Sequence, residues 1–378
     1  MIPLSNPDIT EAEIAAVTAV LRTPQLCMGP ELAAFEKALA EYHSVPHAVG
    51  VSSGTAGLHM ALITLGIGAG DQVIVPSFAF IAVANAVAQV GAKPVFADVD
   101  AVTLNLTGES VEAVVTPQTK AMIAVHTFGI PADMEGLRAV ARRHGLVIIE
   151  DACEAIGARI GEKRAGAFGD LSIFGFYPNK QITTGEGGAV LAHSAEHADR
   201  LERLRNQGRG RQERAGQKPQ GAEAEGADRW DVGFNYRLSD MACALGRVQL
   251  ERIEEILSLR RRAAERYQSL LAGIDGIEMP PLTLSGVAIS WFVYVVRLAA
   301  SIDRDRVRES LKREGVATAT YFEPIHQQAG WSRFTRLPMP VAESVGPRTL
   351  ALPFFTRISE TQQEAVAASL ERAIKLQR

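Results

Sequence analysis

The chain has 378 residues, enough for two or three domains with sizeable cores, which excludes a peptide hormone or a small stapled scaffold. Its 39 Lys and Arg against 43 Asp and Glu leave a formal charge of −4, and 47% apolar with 22% charged residues is an ordinary globular balance. Neither a nucleic-acid footprint nor an intrinsically disordered chain fits those figures.

From the N-terminus, MIPLSNPDITEAEI carries neither the basic region nor the apolar run of a secretory signal. The most apolar stretch, Phe78 to Val90, is broken by Asn85 and Gln89 and falls short of the ~18 to 20 residues a membrane span needs. Cys27, Cys153 and Cys243 are odd in number, far apart and without a CxxC, so free thiols in a reducing compartment are expected, with no metal site. The expected protein is cytoplasmic, with no membrane and no nucleic-acid partner.

Between residues 48 and 192, short apolar runs alternate with helical patterns, the signature of an α/β fold with a mostly parallel sheet. The predicted strands are Ala48 to Val51, Gln72 to Val75, Pro94 to Ala97, Ala121 to Val125, Leu146 to Ile149, Leu171 to Phe174 and Ala189 to Ala192, giving a seven-stranded sheet. Helices are predicted at Ala56 to Leu65, Ala79 to Val90 and Met134 to His144, supplying the crossovers that parallel strands require. Residues 206–230, rich in Gly, Gln and charge, are expected to form a long mobile loop. A single amphipathic helix is predicted from Leu238 to Leu271, with Leu245, Val248, Leu250, Ile253 and Ile256 as its apolar stripe. Beyond it, Ser290 to Leu298 reads as a strand, and Asp303 to Gly315 and Ser359 to Lys375 as helices of a smaller α+β unit. The domain division expected is 1–245 for a large domain and 246–378 for a small one with its connecting helix.

Three places can carry chemistry. In VGVSSGTAGLHMAL a strand ends at Ser52-Ser53-Gly54-Thr55 and a helix begins at once; the free amides and dipole of such a terminus seat an anion such as phosphate, and Ser53 or Thr55 serves equally well as a simple N-cap. In GLVIIEDACEAIG an apolar strand ends in Glu150 and Asp151, where ligand crevices of open α/β sheets lie; Asp151 reads either as a site acid or as a helix cap. In FGFYPNKQITTGEGG, Lys180 stands between an aromatic strand and a glycine turn, where partial burial favours the uncharged amine that Schiff-base chemistry needs. A phosphate seat, a strand-end carboxylate and a lysine 29 residues later are together the three anchors of pyridoxal 5'-phosphate (PLP). Two other patterns fail on context. Gly66-x-Gly68-x-Gly70 follows a helix and leads into a strand, against the order of a dinucleotide loop, and His193 with His197 lacks a third ligand.

With these anchors in place, the sequence resembles the DegT/DnrJ/EryC1/StrS sugar aminotransferases of PLP fold type I. The likeness extends through IPLSNPDI, MGPELAAFEKALAEY, PSFAFIAVANAV, VHTFGIPADM, GFNYRLSDMACALGRVQL, YFEPIHQQ and LALPFF, nearly the whole chain. It implies that Lys180 bonds the cofactor and shuttles the substrate proton, that Asp151 pairs with the pyridinium nitrogen, and that Glu154 lies beside the ring near its hydroxyl. Phe80 would stack on the ring face, and Ser53, Gly54 and Thr55 would take the phosphate. Asn235 would reach the phosphate of the neighbouring subunit, making a homodimer with shared active sites. His326 would stand at the substrate entrance, and Arg237, with Arg209 and Arg211, would be available to a nucleotide diphosphate. Members of the family commonly carry Ser where this chain has Gly175, so Thr183, Thr184 or another hydroxyl has to replace it, or the phosphate has one bond fewer. The activity implied is transfer of an amino group from L-glutamate or glutamine to a nucleotide-linked keto sugar, by preference a 4-keto-6-deoxyhexose, in amino-sugar biosynthesis. A 3-keto sugar, a cyclitol ketone, a non-catalytic scaffold, or a different fold type I enzyme such as an aldolase or desulfurase acting on amino acids are the alternatives.

Overall fold

The computed structural model describes residues 1–209 and 232–377. Two helices, α1 (Glu11–Leu21) and α2 (Pro30–His43), precede the sheet; then come β1 (His47–Val51), α3 (Gly54–Thr64), β2 (Gln72–Pro76), α4 (Ala82–Gln89), β3 (Lys93–Ala97), α5 (Gly108–Glu112), β4 (Thr119–Val125), α6 (Met134–His144) and β5 (Val147–Asp151). A short hairpin, β6 (Arg159–Ile160) and β7 (Lys163–Arg164), leads to β8 (Leu171–Gly175), β9 (Gly188–Ala192) and α7 (Ala195–Arg205). The C-terminal part consists of α8 (Asp240–Glu251), α9 (Ile253–Leu271), β10 (Ile277–Glu278), β11 (Val287–Ala288), β12 (Tyr294–Leu298), α10 (Arg304–Arg313), α11 (Pro340–Val345), β13 (Thr349–Leu352) and α12 (Glu360–Lys375).

The seven-stranded sheet has the order β1-β9-β8-β5-β4-β2-β3, and β9 alone runs against the rest. The expected α/β class and all seven expected strands are present. Alternate strand residues enter different layers, as the pleat requires. Val73, Val75 and Ile123 pack with α3, α4 and α7, while Ile74, Met122 and Ala124 pack with α5 and α6. A separate core joins α9, α10, α12, β12 and β13 around Tyr267, Tyr294 and Leu311. No helix among the described residues is long and apolar enough to cross a membrane.

Three predicted boundaries need correction. The single helix from Leu238 to Leu271 is two helices, broken at Arg252, whose backbone (φ −98°, ψ 8°) closes α8 and opens α9. Its guanidinium is drawn to Asp8 and Glu13, each at 2.7 Å. The strand predicted over Ser290 to Leu298 begins only at Tyr294, because the backbone of Ser290, Trp291 and Phe292 is bonded elsewhere: the Ser290 amide to Gly129, the other two carbonyls to Arg260. The helix predicted from Ala79 starts at Ala82, leaving Phe80 in the turn before it. Of the predicted 206–230 loop, residues 210–230 lie outside the described residues, as does Arg211.

Candidate active site

A cavity of about 360 Å³ opens at the carboxyl ends of the parallel strands, where ligand sites of open α/β sheets lie. β1 leads into Ser53, Gly54 and Thr55, β5 ends on Asp151, and β8 ends on Gly175; all five line the cavity, together with Glu154, Phe80 and Lys180. Seven predicted residues, spread over more than a hundred positions, thus meet in one place: Ser53, Gly54, Thr55, Phe80, Asp151, Glu154 and Lys180.

At the anion seat both readings hold. Ser53 is the N-cap of α3 and its hydroxyl accepts from the Ala56 amide at 3.0 Å, while the amides of Gly54 and Thr55 come before any intrahelical acceptor. The backbone is cleared for a ligand by glycines: a Cβ at Gly54 would lie 2.8 Å from Cys153 Sγ, and one at Gly188 would lie 2.6 to 2.8 Å from the backbone of Ser53, Phe174 and Gly54. Asp151 accepts from the Cys153 amide at 3.0 Å through Oδ1, and the Cys153 thiol is its side-chain neighbour. Lys180 Nζ lies 3.5 Å from Glu154 Oε1 and 3.9 Å from the centre of the Phe292 ring. Burial raises the Glu154 carboxyl above its ordinary value; nearby Lys180 and the Phe128 amide, which donates to Oε2 at 2.8 Å, oppose that rise. In the wall, Asn179 Oδ1 is buried without a hydrogen-bond partner among the described residues.

These residues fit PLP. A primary amine stands where an aldehyde can be bonded, a carboxylate lines the cavity where it can accept a ring N–H, and an amide-rich, side-chain-free terminus is left for a phosphate.

Three expected residues are not in this cavity. Asn235 is exposed and pairs through its backbone with Asn206. Arg237 donates to Asn206 Oδ1 at 3.0 Å. His326, expected at the entrance, is 4% exposed, lies 3.2 Å from Glu343 through Nε2 and packs beside Phe96. The hydroxyls of Thr183 and Thr184 donate to the carbonyls of Phe176 and Glu186, so neither replaces a serine at Gly175. Tyr177, Asn179, Cys153, Phe292, Tyr321 and Phe322 also line the cavity and were not singled out from the sequence. Tyr177 and Asn179 flank the lysine in the same run, and Tyr321 and Phe322 open YFEPIHQQ; Phe292 gave no signal within its apolar run.

Sheet, lysine, acid and phosphate seat together define the cofactor site of a PLP enzyme. The chain belongs to the DegT/DnrJ/EryC1/StrS aminotransferase family, which it matches over residues 7–371. It is 38% identical to the GDP-perosamine synthase of Caulobacter vibrioides over 352 residues, 92% of this chain and 91% of that one. Among solved structures it is similar to the aminotransferase TlmJ of Streptoalloteichus hindustanus, with a TM-score of 0.91 and 32% identity over 100% of this chain and 99% of that one. It is also similar to an aminotransferase of Streptococcus pneumoniae seen in PMP and PLP forms, with a TM-score of 0.90 and 26% identity, over 100% of this chain and 99 to 100% of the other.

Proposed function

We propose that this enzyme transfers an amino group from L-glutamate or glutamine to a nucleotide-linked 4-keto-6-deoxyhexose, as a homodimer of the cytoplasm whose active sites are shared between subunits. The observation that carries the reading is the meeting of Lys180, Asp151 and the α3 terminus in one cavity. The likeness to a protein named for GDP-perosamine supports a nucleotide-linked sugar as acceptor. On this reading residues 1–245 hold the cofactor and 246–378 form the smaller domain.

Each residue then has a task. Lys180 would hold the cofactor's aldehyde carbon and, once displaced by the donor amine, take the α-proton on Nζ and return it to the product side. Asp151 would accept the ring N–H, and the Gly54 and Thr55 amides with the Thr55 hydroxyl would bind the phosphate. PLP, when bound, supplies an electron sink for the pair left behind when that proton is removed. Arg237 and Arg209, with Asn235, would serve the partner's cavity.

The test is the visible absorption of the PLP-loaded protein before and after L-glutamate, with Lys180→Ala beside it. The wild type should show a lysine-bound cofactor band that glutamate converts to the PMP spectrum, and the variant should show no such band. A panel of nucleotide keto sugars, including 3-keto sugars and a cyclitol ketone, then identifies the acceptor. No cofactor band in the wild type would overturn the assignment of Lys180, and turnover only with a cyclitol ketone would overturn the acceptor.

A further inference from the structure

Gln181 follows the lysine directly and is 3% exposed. Its Nε2 donates to the Glu154 carbonyl at 2.7 Å, to Ser290 Oγ at 2.8 Å and to the Ser290 carbonyl at 3.1 Å. All three groups accept, since the Ser290 hydroxyl gives its own proton to the Ile156 carbonyl at 2.6 Å. Only the NH2 end of the amide can face them, and Gln181 Oε1 is buried without a hydrogen-bond partner among the described residues.

These bonds close a ring around the amine. Glu154, whose backbone carbonyl Gln181 holds, presents Oε1 to Lys180 Nζ at 3.5 Å, and its Oε2 accepts from the Phe128 amide at 2.8 Å. Lys180 and Glu154 are 26 residues apart and stand on separate loops, one after β8 and one after β5, so a single side chain sets the spacing between the loops. The lysine's own amide only turns back on the Tyr177 carbonyl at 2.9 Å. At 3.5 Å the contact between amine and carboxylate is too long to fix either group, whereas a buried amide with both protons engaged has few other orientations. The C-terminal part closes the far side. The Ser290 amide donates to the Gly129 carbonyl at 3.0 Å, and Gly129, at φ 87°, has no room for a Cβ, which would run into the Ser290 carbonyl.

We infer that Gln181 is a positioning residue for Lys180: by tying the lysine's loop to the Glu154 carbonyl and to Ser290, it fixes where Nζ stands in the cavity, and the C-terminal part shares in that placement. The inference rests on Lys180 being the cofactor lysine. The step it serves is the bonding of the cofactor, in which the ammonium and the aldehyde give a protonated C=N bond and release one water. Its rate depends on how often Nζ lies within reach of the aldehyde carbon.

The test adds two forms of the cofactor, at one pH, to the full chain freed of cofactor. PMP has no aldehyde and bonds no lysine, so its affinity reads the cavity alone; PLP adds the lysine bond, read as the growth of its absorption band. Gln181→Met, similar in length and without the donor, should leave PMP affinity within about twofold of wild type and slow the PLP band roughly tenfold. Ser290→Ala, which keeps Gln181 on Glu154 and removes the hydroxyl, should slow the band by a smaller factor with PMP affinity again kept. A PMP affinity that falls by the same factor as the PLP rate would make Gln181 a residue of the fold alone and overturn the inference, as would a band that grows at the wild-type rate in Gln181→Met. A band slowed in Gln181→Met and not in Ser290→Ala overturns the share of the C-terminal part. If circular dichroism shows Gln181→Met unfolded, Ser290→Ala decides by the same two readings. Borohydride reduction of the PLP-loaded wild type separates all of this from the parent reading: cofactor mass on a residue other than Lys180 overturns the site assignment itself.

Discussion

Glu150 and Asp151 are neighbours at the end of β5, and the pleat sends them to different environments. Glu150, fully buried, accepts from His126 Nε2 at 2.7 Å, from the amides of Gly166, Phe168 and Gly169 at 2.5 to 2.9 Å, and from the Ser172 hydroxyl at 3.0 Å. His126 Nδ1 accepts from the Ala132 amide, which places the ring proton on Nε2. Burial alone would raise the Glu150 carboxyl, but His126 and the amides outweigh it and hold the group at about 2. The folded state therefore binds this proton less tightly than the unfolded chain, so the stabilisation is full above the ordinary carboxylate value and is lost as pH falls towards 2. Glu150→Gln, which leaves donors facing donors, should cost about 3 kcal/mol in urea unfolding at neutral pH, and its deficit should shrink in acid. A deficit constant from pH 7 to pH 3 would refute the charged-acceptor account. Glu154 has the opposite sign: burial raises it, so the folded state loses stability as pH rises through that raised value. Glu154→Gln should therefore remove the part of the fall in Tm that sets in as pH rises above the ordinary carboxylate value and that comes from this group; a fall as steep as in the wild type would contradict it.

At the scale of elements, the phosphate seat exists because three backbones come together: the start of α3, the end of β8 and the start of β9. A Cβ at Gly188 would press on the backbone of Ser53 and Phe174, atoms that cannot rotate away, so Gly188→Ala should cost about 1 to 3 kcal/mol and weaken PLP retention in dialysis. Gly175 is a different case: a Cβ there meets Cys153 Sγ at 3.3 Å, a contact that relaxes by a few tenths of an ångström. Gly175→Ser should fold and tighten PLP by roughly tenfold through one more bond to a charged group, read by cofactor titration. Unchanged affinity would mean that position 175 does not face the phosphate. These elements also show what is legible in a sequence. Strands buried on both faces, such as Gln72–Pro76, read as continuous apolar runs, and Asp151 and Lys180 stood out because polar groups follow such runs directly. Helix α1 gave no stripe to read, since Ile14 and Leu21 are 50% and 57% exposed in the single chain. The break at Arg252 and the place of Phe292 depend on partners hundreds or tens of residues away, Asp8 for one and Arg260 and Lys180 for the other.

At the scale of the molecule, the cavity of one chain is unbalanced. Among the described residues its lining has three carboxylates, Asp151, Glu154 and Glu186, and one cation, Lys180. A phosphate and a nucleotide diphosphate together need more positive charge than that. Phe80 and Tyr177, on the same lining, are 61% and 54% exposed among the described residues of the single chain, an apolar rim. Asn235 and Arg237 lie away from this cavity, next to Asn206. A two-fold dimer that brings Asn235 and Arg237 of one subunit to the cavity of the other would cover the rim and supply the missing donors. Hybrids make this testable. Lys180→Ala and Asn235→Ala should each be nearly inactive alone, yet mixed and reassociated they should recover activity, because each hybrid has one site with an intact lysine facing an intact asparagine. With random pairing, half the dimers are hybrids and each has one working site of two, so recovery should approach roughly a quarter of wild type. Recovery near zero, with hybrid dimers demonstrated by differential tagging, would place Asn235 and Lys180 in the same subunit's site and refute the shared cavity.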